Sequence, residues 1–311
     1  METKQRILLA KVETNYGEDV SPAGANAVNA RNIQINYTAD LLDRDLHRQD
    51  YSPAAPVVGK RSVDVSFECD IAGSGSVGVA PDIGALLQAC AFTETVGAGS
   101  SIIYTPASQS IKSVTIKVYD PYSATHSKIH TITGARGNVT FDFTAGQMAK
   151  ASFSFKGKYN APADNTTVSP TYVATTPPVV QSGSLVFNSK DALVVQNVNV
   201  DMSNEIAEID DVSSANGVES IRIVGRKPSG TFNPEAISVA GYDWYSDWIA
   251  SSQRAFTFKV GSANYNKVAI SMPKVTIDAI NDGDLNGLRT TDIPFRLNRN
   301  TGNDEITLTF S

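Results

Sequence analysis

The sequence predicts a mainly β protein built as two tandem β-sandwich or barrel-like domains, each with one short α-helix, joined by a Pro/Thr-rich linker. Three observations carry that prediction. Apolar and polar residues alternate with a period of two along most of the 311 residues, only two short stretches show helical spacing, and the order of features in the first half recurs in the second. Alternation puts one face of a strand on a core and the other toward water or a partner, which is how antiparallel sheets read.

In chain order, residues 1–30 read as an N-terminal arm, with 16–30 rich in Gly, Ala, Pro and Asn. Residues 31–159 form the first β domain. Ile33, Ile35 and Tyr37 alternate with polar residues, as do Val63, Val65 and Phe67, then Val114, Ile116 and Val118, then Val139, Phe141 and Phe143, and finally Phe153 and Phe155. Between these strands, residues 81–91 place Ile83, Leu86, Leu87 and Cys90 at helical spacing after Pro81, a residue suited to a first turn. A Gly/Ser-rich excursion follows at 93–108. Residues 160–184 carry Pro162, Pro170, Pro177 and Pro178 without apolar periodicity and read as a linker strapped along a surface. Residues 185–311 form the second β domain, where alternation returns in Val198–Val200, Ile221–Ile223, Phe256–Val260, Val268–Ile270, Val275–Ile277 and Ile306–Phe310. Its helix is expected over 242–250, with Tyr245, Trp248 and Ile249 facing the core.

The halves match in order, and internal repeats are the first thing a fold assignment must account for. Asn32–Asn36 answers Asn197–Asp201, and each opens a long polar loop, 38–58 and 202–219. Gly59-Lys-Arg61 answers Gly225-Arg-Lys227, and Phe67 answers Phe232. After each helix, Val114–Val118 answers Phe256–Val260, Val139–Asp142 answers Val275–Asp278, and Phe153–Lys156 answers Ile293–Arg296. A duplicated domain accounts for the series.

Composition narrows the function. Apolar residues make up 41%, enough to fill cores, while 26 Lys+Arg against 32 Asp+Glu leave a net charge of −6. That balance argues against tight binding that neutralises a nucleic-acid backbone. Cys69 and Cys90 are too few for a disulfide framework and read as small, half-buried residues in a reducing compartment. The apolar run Ile7 to Ala10 is too short for a signal peptide, and no stretch reaches the roughly 18 apolar residues of a membrane span. The expectation is a soluble, intracellularly made protein without a membrane anchor.

No motif supplies chemistry. Gly73-Ser-Gly75-Ser-Val-Gly78 spells a dinucleotide fingerprint, but it closes before Pro81 opens the helix and no parallel βαβ unit surrounds it. His126 and His130 lie on a strand pattern, with no carboxylate or thiol beside them to complete a metal site, and read as solvated or edge-strand residues. His47 has no nucleophile motif near it. No catalytic residue, cofactor or metal is expected. The loop at 38–58 is the stronger feature, because its length is unusual in a compact domain. Its leucines Leu41, Leu42 and Leu46 among Arg44, Asp45 and Arg48 suit docking onto another copy, with Glu205, Ile206 and Glu208 as the counterpart in the second half. Asp64, Asp142, Asp201 and Asp278 take the polar phase of strands, where they face solvent or line a channel that repels phosphates.

The segments Ile7–Lys11, Tyr16–Glu18 and Asn29–Ile35, followed by the loop at 41–59, the strand Arg61–Phe67 and the helix at 81–91, resemble the start of major tail proteins of long-tailed, non-contractile bacteriophages. The resemblance covers most of residues 5–160. It implies a structural virion protein: a tail-tube-like β domain whose sheets join across subunits into a ring with a β-barrel inner wall, with rings stacked through the long loop into the conduit for DNA ejection. Leu41, Leu42, Arg44, Asp45, Leu46, Arg48, Glu205, Ile206 and Glu208 become inter-ring docking residues, and Asp142 and Asp278 become lumen-facing carboxylates. The family's common pattern is one tube domain per chain in a hexamer; two copies imply a trimeric ring of pseudo-sixfold symmetry. The partners implied are further copies of the chain, tape measure and terminator proteins, and DNA in passage without specific binding. Assembly in the host cytoplasm follows. Two other readings remain at this stage: a two-domain extracellular binding module of the adhesin or carbohydrate-binding type, and the tube of a tail-like secretion machine.

Overall fold

The computed structural model describes residues 5–97, 101–191 and 193–311; the start of the arm and part of the Gly/Ser-rich excursion lie outside them. The first half contains β1 (Ile7–Val12), β2 (Ala27–Val28), β3 (Ala30–Leu42), β4 (Val57–Asp70), α1 (Gly84–Ala89), β5 (Phe92–Val96), β6 (Ile102–Pro106), β7 (Val114–Pro121), β8 (His126–Thr144), β9 (Lys150–Lys158) and β10 (Ala163–Thr166). The second contains β11 (Ser184–Phe187), β12 (Val195–Asp201), β13 (Asn204–Asp210), β14 (Val218–Arg226), β15 (Ser229–Pro234), α2 (Trp244–Ile249), β16 (Arg254–Val260), β17 (Val268–Ile277), β18 (Asn281–Leu285), β19 (Leu288–Leu297) and β20 (Thr307–Phe310). The protein is mainly β with two short helices, and every strand pairing is antiparallel.

Long strands shared between two layers organise each half. The start of β8 pairs with β7 and β10, and β7 with β1. The end of β8 pairs with β9, then β4, then β3. The strand changes layer at a bulge where Gly134 holds φ +62°, a conformation that costs glycine little. In the second half β17 pairs with β16 and β20 at its start, and β16 with β11. Its end pairs with β19, then β15, then β12. A register shift sits at the same point, with Pro273 nearby, where a missing N–H is tolerated.

Those bulges also fix the correspondence between the halves. They align Ile132 with Met272 and Ala135 with Val275, opposite Ile116/Phe256 and Val114/Arg254. The sequence match of Val139 with Val275 is therefore four residues out, and that of Val114 with Phe256 two. Asp278 takes the position of Asn138, not that of Asp142.

The alternating apolar residues close one continuous core. Phe67, Phe153 and Phe155 cluster in the first half, and Phe187, Phe232, Phe256 and Phe295 in the second. Phe143 meets Phe258 edge-on at 5.1 Å, joining the two clusters. Backbone crosses the joint as well. β12 pairs with the end of β8, from Asn197↔Thr144 to Asp201↔Thr140, and β6 pairs with β20. One layer thus runs β3-β4-β9-β8-β12-β15-β19-β17 through both halves.

Several local expectations change. The segment assigned to an arm contains β1, because the continuous run Leu8-Leu9-Ala10 is buried against β7. The linker region contributes β10, and the excursion is the β5–β6 hairpin. Cys69 and Cys90 are fully buried and free, and burial pushes both thiols well up. In α2 it is Trp244 that enters the core, while Tyr245, Trp248 and Ile249 are exposed.

The glycine-rich stretch after β4 serves the joint. Gly73 N–H donates to Asn266 Oδ1 at 2.8 Å and Gly75 N–H to Tyr265 O at 3.2 Å. A Cβ on Gly73 would lie 2.0 Å from Tyr265 O, a backbone atom that cannot swing away. Gly73→Ala is expected to lower unfolding free energy by about 1–3 kcal/mol, measured by urea denaturation; unaltered stability contradicts this close approach.

Candidate functional site

Two open sheet edges, the ribbons that extend from the shared layer, and its polar face are the features able to act. At one end of the layer, β3 pairs, among the described residues, with β4 alone; at the other, β18 continues the course of β17 and pairs, among the described residues, with β19 alone. Unpaired strand edges are templates for another chain. Sequence reasoning missed β18, whose Asn-Asp-Gly-Asp composition reads as loop. The usable signal was Asn286-Gly287: both residues hold positive φ (54° and 84°), the geometry of a tight hairpin turn.

The β3–β4 ribbon runs further than the sequence implied. Pairing continues to Leu41↔Val58 and Leu42↔Val57, so only residues 43–56 form the turn of the expected 38–58 loop. Leu41, Leu42, Val57 and Val58 are 63, 56, 50 and 56% exposed, and Leu46 in the turn is exposed too. A two-stranded ribbon with apolar residues open on both faces is marginal by itself and needs a partner surface. Arg44, Asp45 and Arg48 lie in the exposed turn, and among the described residues none of them has an ion pair.

The β13–β14 ribbon leaves the layer at the corresponding place, between β12 and β15, and it is already docked. Val218 and Ile221 on its own strand β14 are fully buried. Arg136 Nη1 donates to Ile221 O at 2.8 Å, Ile221 N–H donates to Tyr16 Oη at 2.6 Å, and Asn216 Nδ2 donates to Tyr159 O at 2.8 Å. Glu205, Ile206 and Glu208, placed in a polar loop by the sequence, stand on β13. Glu205 accepts from Lys227 at 2.6 Å. Glu208 bridges Lys156 Nζ at 2.7 Å and Lys60 Nζ at 3.0 Å, both on the first half. Burial pushes the Glu208 carboxyl up, but the hydrogen bonds and charges of the two lysines outweigh it and hold it below its ordinary value.

The shared layer turns Val65, Phe67, Phe141, Phe153 and Phe155 inward and polar residues outward. Asp142 lies on that polar face, accepting from Thr144 Oγ1 at 2.9 Å and Asn197 Nδ2 at 3.2 Å. Asp278 accepts from Arg296 Nε at 2.7 Å. The two carboxylates sit far apart along the layer, and Lys150, Lys156 and Arg296 interleave with them, so the face carries both signs. Of the histidines, His126 is exposed on β8, while His130 is buried with Nδ1 2.5 Å from Tyr37 Oη and Nε2 3.3 Å from Asp120. Its burial corrects the solvated reading. Burial lowers the His130 pKa, opposed by Asp120, and pushes Tyr37 up to about 12. Among the described residues no group of His, Cys, Asp and Glu is arranged to hold a metal ion.

Since the Glu208 carboxyl is depressed in the fold, its contribution is complete above the ordinary glutamate value of about 4.3. It is lost as pH falls through the lower folded value. Glu208→Gln is expected to cost roughly 1–2 kcal/mol at pH 7 and to flatten the acid limb of the stability curve. Superimposable acid unfolding of variant and wild type contradicts the bridge.

A family model for phage tail tube proteins matches residues 3–310. No curated protein matches the chain. Because the single match spans both sets of strands and the joint between them, the chain belongs to the phage tail tube protein family.

Proposed function

We propose that the chain carries two copies of a tube domain and closes head-to-tail into a ring, a trimer of pseudo-sixfold symmetry. The observation that carries this reading is the joint inside the chain: β12 of one strand set adds to the end of β8 of the other, while β3 and β18, in the corresponding positions, have no such neighbour. Repeating that joint between chains lays residues 32–36 of one subunit antiparallel to residues 281–285 of the next. Ring closure then satisfies every edge of the layer and turns it into a barrel wall.

Stacked rings make the conduit through which DNA leaves the particle. The polar face lines it, with Asp142 and Asp278 among the groups that keep phosphates from adhering; the interleaved cations are balanced by neighbouring carboxylates. No catalytic group is needed. Leu41, Leu42, Arg44, Asp45, Leu46 and Arg48 supply contacts beyond the chain, the turn at 43–56 reaching the adjacent ring. Glu205, Ile206 and Glu208 act within the subunit in this reading. The tape measure and terminator proteins meet the ends of the tube, and assembly takes place in the host cytoplasm.

Concentrated purified protein is expected to form hollow rods or rings by negative-stain microscopy. Arg44→Ala with Asp45→Ala is expected to shorten the rods while leaving monomer stability within about 0.5 kcal/mol of wild type. Rods of normal length from the double variant remove the turn from the stacking contact, and dispersed globules from the wild type remove the tube.

A further inference from the structure

The docked ribbon of the second half shows where the undocked ribbon of the first half goes. Both ribbons follow the same register. Ala39 faces Arg61 and Leu41 faces Val58 as Asn204 faces Arg226 and Ile206 faces Ile223, so each ribbon carries its bulge at the same place and Asp40 takes the position of Glu205. Counting outward, Leu41 takes the place of Ile206 and Asp43 that of Glu208. The Asp40, Asp43, Asp45 spacing repeats Glu205, Glu208, Asp210.

The receiving surfaces correspond too. The β13–β14 ribbon rests on Lys60, Arg61, Lys156 and Tyr159, through Glu208 and Asp210 on the lysines, Ala215 O on Arg61 and Asn216 on Tyr159. Register places Gly225, Arg226, Arg296 and Arg299 at those four positions in the second half. Three of the four are cationic. Arg226 is held by Glu305, the Ala107 carbonyl and Asn303, Arg296 pairs only with Asp278 among the described residues, and Arg226, Leu297 and Arg299 line an open cleft of about 550 Å³. Arg296 is 71% exposed on its side chain, whereas its counterpart Lys156 is covered by Glu208.

The structure assigns the exposed face around Arg296 to the β3–β4 ribbon of a second copy of the chain in the same ring, with Asp43 on Arg296 and Leu41 over the layer beside it. The assignment rests on the tube reading and adds to it: the base of the ribbon, as far as Asp43, clamps the neighbour within the ring, and the turn beyond Asp43 is free to reach the next ring. The Asp278–Arg296 pair opens to a shared site, as Lys156 is shared between Asp64 and Glu208.

Asp43→Cys and Arg296→Cys in one chain test this, since the native Cys69 and Cys90 are buried. Mild oxidation of assembled tubes is expected to give, on non-reducing gels, a ladder that stops at the number of chains in one ring and collapses on reduction. A ladder without an upper limit means that the ribbon bridges rings, and tubes without cross-links mean that it docks elsewhere; either overturns the assignment while leaving the tube intact. Wild-type protein that never assembles overturns the tube reading and the assignment with it. Charge reversal gives an independent check. Asp43→Lys or Arg296→Glu alone is expected to raise the concentration needed for assembly roughly tenfold, and the pair together to restore it; no recovery in the pair contradicts the contact.

Discussion

An antiparallel layer cannot end quietly in water. Each terminal strand presents unpaired N–H and C=O groups, which a fold charges, shortens, covers or pairs with another chain. In this protein the layer that crosses both halves ends in β3 and β18, each with one neighbour. Much of the rest follows from that constraint. The core on one face makes the layer rigid, the bulges at Gly134 and beside Pro273 let β8 and β17 leave the other layers to join it, and polar residues occupy the opposite face.

The chain solves the same problem once internally. Where β12 meets β8, edge hydrogen bonds, the Phe143–Phe258 contact and the docked β13–β14 ribbon act together. The ribbon matters because two strands alone bury too little to be stable. Its stability comes from burying its own Val218 and Ile221 and from Glu208 between two lysines. A subunit whose own joint needs a ribbon as clasp has a ready explanation for the exposed leucines and valines on the second ribbon.

Much of this was legible in the residues, and the failures have physical causes. Alternation located most strands, and two helices were found within a few residues of their ends. The pairing of Asp142 with Asp278 failed because a strand pattern of period two matches itself after any even shift, so slips of two and four residues leave every apolar residue inward. Only the bulges, which are backbone events, remove that ambiguity. The exposed face of α2 was misread because a six-residue helix has too few turns for spacing to tell which side meets the core. Strand β18 hid in polar residues because an edge with one neighbour and an exposed face has no apolar pattern to show. The 38–58 loop was read as unpaired for a related reason: its strands alternate nothing, being apolar on both faces.

Electron cryo-microscopy of the assembled protein, at a resolution that traces strands, tests the central claim most directly. The account predicts a closed wall in which residues 32–36 of each chain run antiparallel to residues 281–285 of its neighbour, repeating the β12–β8 joint at every subunit boundary. A wall in which β3 or β18 is capped by its own chain, or in which subunits meet through the β1–β7 layer, would contradict it.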